Sequence, residues 1–182
     1  LAAVANKALE AGADWINDVS GGRRDSEMLS LIADAGCPCV LMHSRGTSQT
    51  MDRCTDYGEQ GVVQGVLDEL RAATNRALRA GVSCDQLLWD PGLGFAKTTE
   101  QNLSLLKQLD TLVAEGIPLL VGPSRKRFIG AVLDEPRARA RLWGTAAVCA
   151  RAVDAGVAVL RVHDVGPIHQ VVTMASAIAS DR

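Results

Sequence analysis

Residues 80–97 read AGVSCDQLLWDPGLGFAK and hold one complete copy of the pattern that decides the fold. A helical segment ends at Ala80-Gly81, a short apolar run follows at residues 87–89, and the run stops at Asp90 before a glycine-rich loop. Glycine suits the left-handed position that ends a helix, and short apolar runs are typical of strands buried in a parallel sheet. The stretch predicts a helix, a buried strand and a polar loop at the strand's carboxyl end.

The same pattern occurs five times along the chain. The strand segments lie within residues 15–18, 40–43, 87–90, 118–122 and 157–164. The helical patterns lie at residues 1–11, 26–35, 58–80, 99–114, 138–154 and 166–179. Strands that alternate with helices imply parallel strands joined by right-handed connections. Because no composition break interrupts the pattern, we expect one domain over residues 1–182.

Two α/β architectures suit five such units. The units take roughly 36 residues each, so that eight would need roughly 290, a usual length for a TIM (β/α)8 barrel. Five strands alone would instead suit a doubly wound, flavodoxin-like sheet. The chain begins inside a helical pattern, and nearly every strand ends in chemically active residues, as at the carboxyl face of a barrel. We therefore predict a partial TIM barrel with about five parallel strands.

The composition disfavours several functional classes. Of the 182 residues, 47% are hydrophobic and 22% are charged, which indicates a globular protein. The net charge of −2 disfavours nucleic acid as a partner, and no apolar run reaches the ~18 residues of a membrane span. Five scattered cysteines fit free thiols in a reducing compartment, so we expect a cytoplasmic protein.

Asp90 and Asn17 are candidates for binding a flat heterocycle. A carboxylate at a strand end can accept two parallel hydrogen bonds from an amidine-like N–C–N edge, such as that of a 2-amino-pyrimidinone ring, and an amide offers the same ring a donor and an acceptor. The structural alternative for Asp90 is a helix N-cap. The next helical pattern begins only near Thr98 or Thr99, which disfavours that role.

The last two strand ends are candidates for binding an anion. Residues 122–127 place three cations beside a strand end, and Arg161 and His163, two residues apart, share one face of the last strand. Residues 121–182 hold nine Lys and Arg against five Asp and Glu. An inward arginine needs an anionic partner, and a phosphate or diphosphate is a natural one. The alternatives are a solvated loop and a core ion pair with Asp164 or another acid.

A metal site built only from protein ligands is not expected. His43, Asp90 and His163 are ligand types that divalent ions accept. The chain has only three histidines and no His-x-His pair. His43 by itself fits a packed role behind the site as well as direct contact with a ligand.

Five segments together resemble the dihydropteroate synthase family of the folate pathway. They are Ile16-Asn17-Asp18, Leu41-Met42-His43, residues 90–97 (DPGLGFAK), residues 120–126 (LVGPSRK) and residues 160–164 (LRVHD). The resemblance implies a TIM barrel and a transferase that condenses 6-hydroxymethyl-7,8-dihydropterin diphosphate with p-aminobenzoate. The products would be 7,8-dihydropteroate and diphosphate.

The resemblance also implies roles for individual residues. Asp90 and Lys126 would be the catalytic residues, and with Asn17 they would hold the pterin ring. Met42, Gly122 and Phe95 would line the pterin pocket. Arg161 and His163 would bind the diphosphate, while Ser124 and Arg125 would shape the p-aminobenzoate site. Mg²⁺ would accompany the diphosphate, held by substrate oxygens and water with no ligand from this chain, and the protein would be a homodimer.

The resemblance further implies that the family's first three strands precede Leu1, so that we expect the 182 residues alone to be inactive. Two other interpretations stay open at this point. One is a related pterin-binding methyltransferase barrel, which would not need the Arg161 and His163 pair. The other is a non-catalytic, flavodoxin-like module that binds a phosphorylated ligand, and strand order separates it from a barrel.

Overall fold

A computed structural model describes residues 1–179. Within them, five short strands alternate with helices as the sequence pattern predicts. The strands are β1 (Ile16–Asp18), β2 (Cys39–Met42), β3 (Leu87–Asp90), β4 (Leu120–Val121) and β5 (Val159–Leu160). The α-helices of the same residues are α1 (Ala2–Glu10), α2 (Met28–Ala35), α3 (Gly61–Arg79), α4 (Thr99–Lys107), α5 (Leu109–Val113), α6 (Arg127–Leu133), α7 (Leu142–Asp154) and α8 (Val165–Ala179).

The strands are parallel and follow one another around the sheet. β2 lies between β1 and β3, and β4 pairs with β5. A parallel bridge between Trp89 and Leu119 joins the two groups, next to a 2.9 Å hydrogen bond from the Trp89 N–H to the Pro118 carbonyl. Sequential order is the order of a barrel. A flavodoxin-like sheet would insert β1 between β2 and β3, so that alternative is wrong.

Alternate strand residues face two different cores, as the period of a strand requires. Ile16, Leu41, Trp89 and Val121 pack under the helices in the main core. On the opposite face, a small core consists of Val40, Leu88, Leu120 and the partly buried Val159. Asn17 is in register with Val40. Two residues beyond this small core, the same face continues with Met42, Asp90, Gly122 and Arg161.

The helices differ from the prediction in three places. The helix predicted over residues 99–114 breaks at Gln108 into α4 and α5. Residues 138–141 form a 3-10 turn before α7 begins. Helix α6 was not predicted, because its seven residues are too few for a helical period to show. Among the helices within residues 1–179, none combines the length and the apolar character needed to cross a membrane.

The fifth strand is shorter than the predicted segment 157–164. Gly122-Pro123 leads the chain out of the sheet after β4, and a proline has no N–H with which to extend a ladder. The Arg161 N–H still donates to the Val121 carbonyl at 3.0 Å. Residues 161–163 therefore run beyond the sheet, above the end of β4.

Candidate active site

At the carboxyl ends of β3, β4 and β5, three predicted site residues, Asp90, Lys126 and Arg161, meet in one concave region, which is called the cup below. Arg161 Nη2 lies 3.8 Å from Asp90 Oδ2. The Lys126 ammonium is close enough to Asp90 and to Arg161 to interact electrostatically with both. Three residues that are 35 or more positions apart in the sequence thus meet, because parallel strands end at the same edge.

Asp90 is a buried carboxylate that keeps one oxygen available. Its Oδ1 accepts the Gly92 N–H at 2.7 Å, while Oδ2 faces the cup beside Arg161. Burial raises the pKa of Asp90, and the Gly92 N–H and the cations Arg161 and Lys126 act against that rise. Gly92 is required here, since its φ is +66° and a Cβ would collide with the His43 carbonyl.

The helix N-cap role considered for Asp90 is wrong. Helix α4 begins at Thr99, and its N-cap is Thr98. The Thr98 hydroxyl oxygen accepts the Gln101 N–H at 3.2 Å, and the Gln101 side chain accepts the Thr98 N–H at 2.9 Å. This reciprocal capping box leaves Asp90 free for another function.

Lys126 and Phe95 form one wall of the cup. The Lys126 ammonium lies 4.1 Å from the centre of the Phe95 ring, a cation–π distance. The lysine stem crosses Gly94, where an added Cβ would lie 3.0 Å from Lys126 Cδ. Burial lowers the pKa of Lys126, and Asp90 opposes that effect. The aromatic face and the ammonium therefore contact each other directly.

A cavity of about 290 Å³ lies beside this wall. It is lined by Gly122, Ser124, Lys126, Arg161, Val162 and His163. The Ser124 hydroxyl oxygen accepts the His163 backbone N–H at 3.2 Å and lies 2.9 Å from His163 Nδ1. The Ser124 hydroxyl therefore holds both the backbone and the ring of His163. Such a lining suits an anion.

Arg125 is held away from the cavity. Its guanidinium makes a bidentate ion pair with Asp164, with contacts of 3.1 and 2.7 Å. Asp164 therefore pairs with Arg125 and not with Arg161. The ion pair that Arg161 forms is with another acid, the buried Asp90, and the Arg161 side chain is itself 47% exposed. The left-handed backbone of Arg125, with φ of +62°, is supported by the Thr145 hydroxyl and the Arg141 guanidinium.

Met42 and Phe95 share the wall of a second cavity, of about 460 Å³, with Arg23 and Arg45 among its other lining residues. Met42 is buried, and Phe95 is half-buried. Asn17 is exposed on the inner face of β1 and lines neither of these two cavities. The structure places Asn17 on the predicted face, one layer deeper than the other site residues.

A buried network beneath the Asp90 loop escaped the sequence reasoning. The Lys97 ammonium contacts His43 Nδ1 at 2.9 Å, and His43 Nε2 lies 3.2 Å from Glu69 Oε2. Glu69 also binds Arg45 at 2.6 Å. His43 therefore has the packed role that was one of its two expected roles. Lys97 stands in the DPGLGFAK segment, a signal that could have identified it, whereas Glu69 lies inside an ordinary amphipathic helix.

The comparisons with known proteins agree with this geometry. A family model described as "Pterin binding enzyme" matches residues 1–163. The chain is 47% identical over 181 residues to the dihydropteroate synthase of Synechocystis sp., and the match covers 97% of this chain and 61% of that protein. The crystal structure of dihydropteroate synthase from Thermus thermophilus in complex with 6HMPPP is 41% identical, with a TM-score of 0.91, and the match covers 98% of this chain and 69% of that chain. The structure of the same enzyme in complex with 4-aminobenzoate has the same identity and TM-score, with 98% and 71% covered.

The fold and the family model place the chain in the pterin-binding enzyme family, on part of a TIM barrel. Within that class, the chain belongs to the dihydropteroate synthase family. The resemblance found in the five sequence segments is thereby confirmed. The chain spans 61% of the length of the Synechocystis relative.

Proposed function

We propose that the protein carrying this chain is a dihydropteroate synthase, a transferase of folate biosynthesis. It would condense 6-hydroxymethyl-7,8-dihydropterin diphosphate with p-aminobenzoate, giving 7,8-dihydropteroate and diphosphate. The observation that carries the proposal is the 3.8 Å separation of the buried Asp90 carboxylate and Arg161. One small ligand with a donor-rich edge at one end and an anionic group at the other would satisfy both residues.

The pterin end of the ligand would bind between β2 and β3. Asp90 Oδ2 would accept hydrogen bonds from the N–C–N edge of the ring, and the Gly92 N–H holds the other oxygen in place. Phe95 and Met42 would supply apolar contacts, and Asn17 would add amide hydrogen bonds. Gly122 would leave room for the ligand beside Arg161, because a Cβ there would lie 3.0 Å from Arg161 Nη2.

The diphosphate end would occupy the cavity between β4 and β5. Arg161 and Lys126 would neutralise its charge, and the His163 ring would also bind it. The C–O bond to the pterin methylene breaks with its electron pair on the diphosphate, and the arylamine nitrogen forms the new C–N bond and loses a proton. Stabilisation of charge and orientation are the main contributions of the protein to such a step. Ser124 and Arg125 would shape the place where p-aminobenzoate enters.

Mg²⁺ would reach this site only together with the substrate. Residues 1–179 hold no group of three histidine, cysteine or acidic side chains arranged for a metal ion. The cavity proposed for the diphosphate is lined by the cationic side chains of Lys126 and Arg161, which do not fit a bare cation. Diphosphate oxygens and water would supply the ligands of Mg²⁺. The proposal also includes a homodimer and a location in the cytoplasm. The five free cysteine thiols support the location.

Titration with matched ligands tests the proposal. The complete gene product should bind the pterin diphosphate more tightly than the pterin alcohol, and Arg161→Ala should remove most of that difference, roughly 10-fold or more. Arg139→Ala, at an exposed position of the 3-10 turn before α7, is the matched control. Equal affinity for the two ligands in the wild type would contradict the anion subsite. Such a result would instead favour a pterin-binding methyltransferase.

A further inference from the structure

A single buried ammonium holds the loop that carries Asp90. Lys97 Nζ lies 2.9 Å from His43 Nδ1, 3.1 Å from the Gly92 carbonyl and 3.0 Å from the Phe95 carbonyl. Three acceptors match the three N–H groups of a protonated lysine. No carboxylate within residues 1–179 forms an ion pair with Lys97, so its hydrogen bonds all go to uncharged acceptors.

The arrangement fixes the tautomer of His43. Because Nδ1 accepts a hydrogen bond from Lys97, the ring proton lies on Nε2, which is 3.2 Å from Glu69 Oε2. Burial lowers the pKa of His43 to about 4, so that the ring is neutral at physiological pH. Glu69 is in turn held by Arg45. A continuous line of contacts therefore leads from helix α3 to the Asp90 loop.

The two carbonyls that Lys97 holds belong to residues that shape the cup. Gly92 donates its N–H to Asp90 Oδ1, and the Phe95 ring lies beneath the Lys126 ammonium. The Phe95 N–H donates to the Gly92 carbonyl at 3.0 Å, which closes the loop on itself. A change at Lys97 would therefore release both the carboxylate and the aromatic wall, although Lys97 itself belongs to neither.

We propose that Lys97 is a positioning residue: through the Gly92 and Phe95 carbonyls it sets the geometry of the Asp90 carboxylate and the Phe95 ring for the pterin ring. The identity of the ligand rests on the proposed function. The effect on the loop does not, since it follows from contacts within the chain. Lys97 should therefore affect affinity for the pterin and leave the anion subsite at Arg161 and His163 unchanged.

Lys97→Met tests this role in the complete gene product, with Lys107→Met at an exposed position of α4 as the control. We expect the Gly92 and Phe95 amides to exchange hydrogen roughly 10-fold faster. The dissociation constant of 6-hydroxymethyl-dihydropterin should rise roughly 10-fold, and that of inorganic diphosphate should stay within about 2-fold. Unchanged amide exchange, or an equal loss of affinity for the pterin and for diphosphate, would overturn the inference. Failure of the wild type to bind any pterin would overturn the proposed function alone.

A pair of substitutions at His43 gives a second test, which decides the matter if Lys97→Met does not fold. Asparagine places an acceptor near the position of Nδ1, whereas leucine places none. We expect His43→Asn to keep pterin affinity within about 3-fold and His43→Leu to lose roughly 10-fold. Similar losses in both variants would overturn the inference, because Lys97 would then not depend on that acceptor.

Discussion

The loops after β3 and β4 face each other across the cup, and a buried cation holds each of them by backbone carbonyls. Lys97 holds the Asp90 loop, as described above. Behind the other loop, the buried Arg141 guanidinium donates to four carbonyls, at distances from 2.7 to 3.4 Å. Those carbonyls belong to Arg125, Lys126, Glu135 and Pro136. Lys97 and Arg141 therefore fix the backbone of these two loops, although neither side chain lines the site.

The two cations differ in the pH range over which they stay protonated. An arginine in a protein stays protonated at any pH that the fold tolerates, whereas burial lowers the pKa of Lys97 to about 7. The loop after β4 is therefore shaped in the same way over a wide pH range. The loop after β3 depends on a charge that titrates near neutrality, and it is the loop that carries the buried carboxylate.

The largest expected effect is on the Asp90 side. Asp90→Ala removes the acceptor for the pterin edge and the partner of the Gly92 N–H, so we expect kcat/KM in the complete gene product to fall at least roughly 100-fold. Asp85→Ala, in the exposed 3-10 turn before β3, should leave kcat/KM unchanged. Nearly unchanged turnover in Asp90→Ala would contradict the assignment of the pterin pocket.

Arg141→Met should have the second largest effect, and it should act on stability. The substitution removes the guanidinium that donates to the Arg125 and Lys126 carbonyls of the β4 loop and to the Glu135 and Pro136 carbonyls after α6. We expect the free energy of unfolding to fall by about 3 kcal/mol, because four hydrogen bonds of one buried guanidinium are lost. Urea unfolding measures this, with Arg139→Met as the exposed control. A loss below about 1 kcal/mol would show that the loop holds its shape without the guanidinium.

Sequence reasoning found the residues that alternation places on one face and missed those that reach the site from outside the strands. The parallel order was enough to bring Asp90 and Arg161 to one edge of the sheet. Met42 was named only through the family resemblance, because the inward face of its strand was expected to include Leu41, which instead packs in the main core. Arg141 and Glu69 act through long side chains from a turn and a helix, where nothing in the local pattern indicates their targets. The role of Arg125 at a substrate site stays a prediction, and its pairing with Asp164 was not predicted because it depends on the bend after Pro123. That bend is a tertiary feature.

The third effect depends on pH and separates the two buried cations. The pKa of Lys97 is about 7 in the folded protein against 10.5 for an unperturbed lysine. Between these two pH values the unfolded chain binds more protons than the folded chain, so the free energy of unfolding rises with pH. The destabilisation of the folded chain by the buried charge is therefore fully present below about pH 7. Relative to Lys97→Met, the wild type should gain about 2 kcal/mol between about pH 7 and pH 9.

Urea unfolding at the two pH values measures this difference. Other titrating groups, including Lys126, cancel when the wild type and the variant are compared. Arg141→Met should leave the slope of the wild type unchanged, since a guanidinium does not titrate in this range. Parallel pH profiles for the wild type and Lys97→Met would show that the buried ammonium does not limit stability.

The smallest effect is expected at the rim, where Asp52 and Arg127 form an ion pair with a shortest contact of 2.7 Å between side chains that are 63% and 71% exposed. The pair connects the 3-10 turn in the loop after β2 to the first residue of α6. Exposed pairs are screened by water and salt, so Asp52→Asn should change Tm by no more than about 1 °C. Pterin affinity should also stay within about 2-fold of the wild type. A larger change in Tm or in pterin affinity that vanished at high salt would mean that this exposed ion pair helps to shape the site. The contacts of Lys97 and Arg141 indicate instead that buried cations, bound to backbone carbonyls behind the two loops, set its shape.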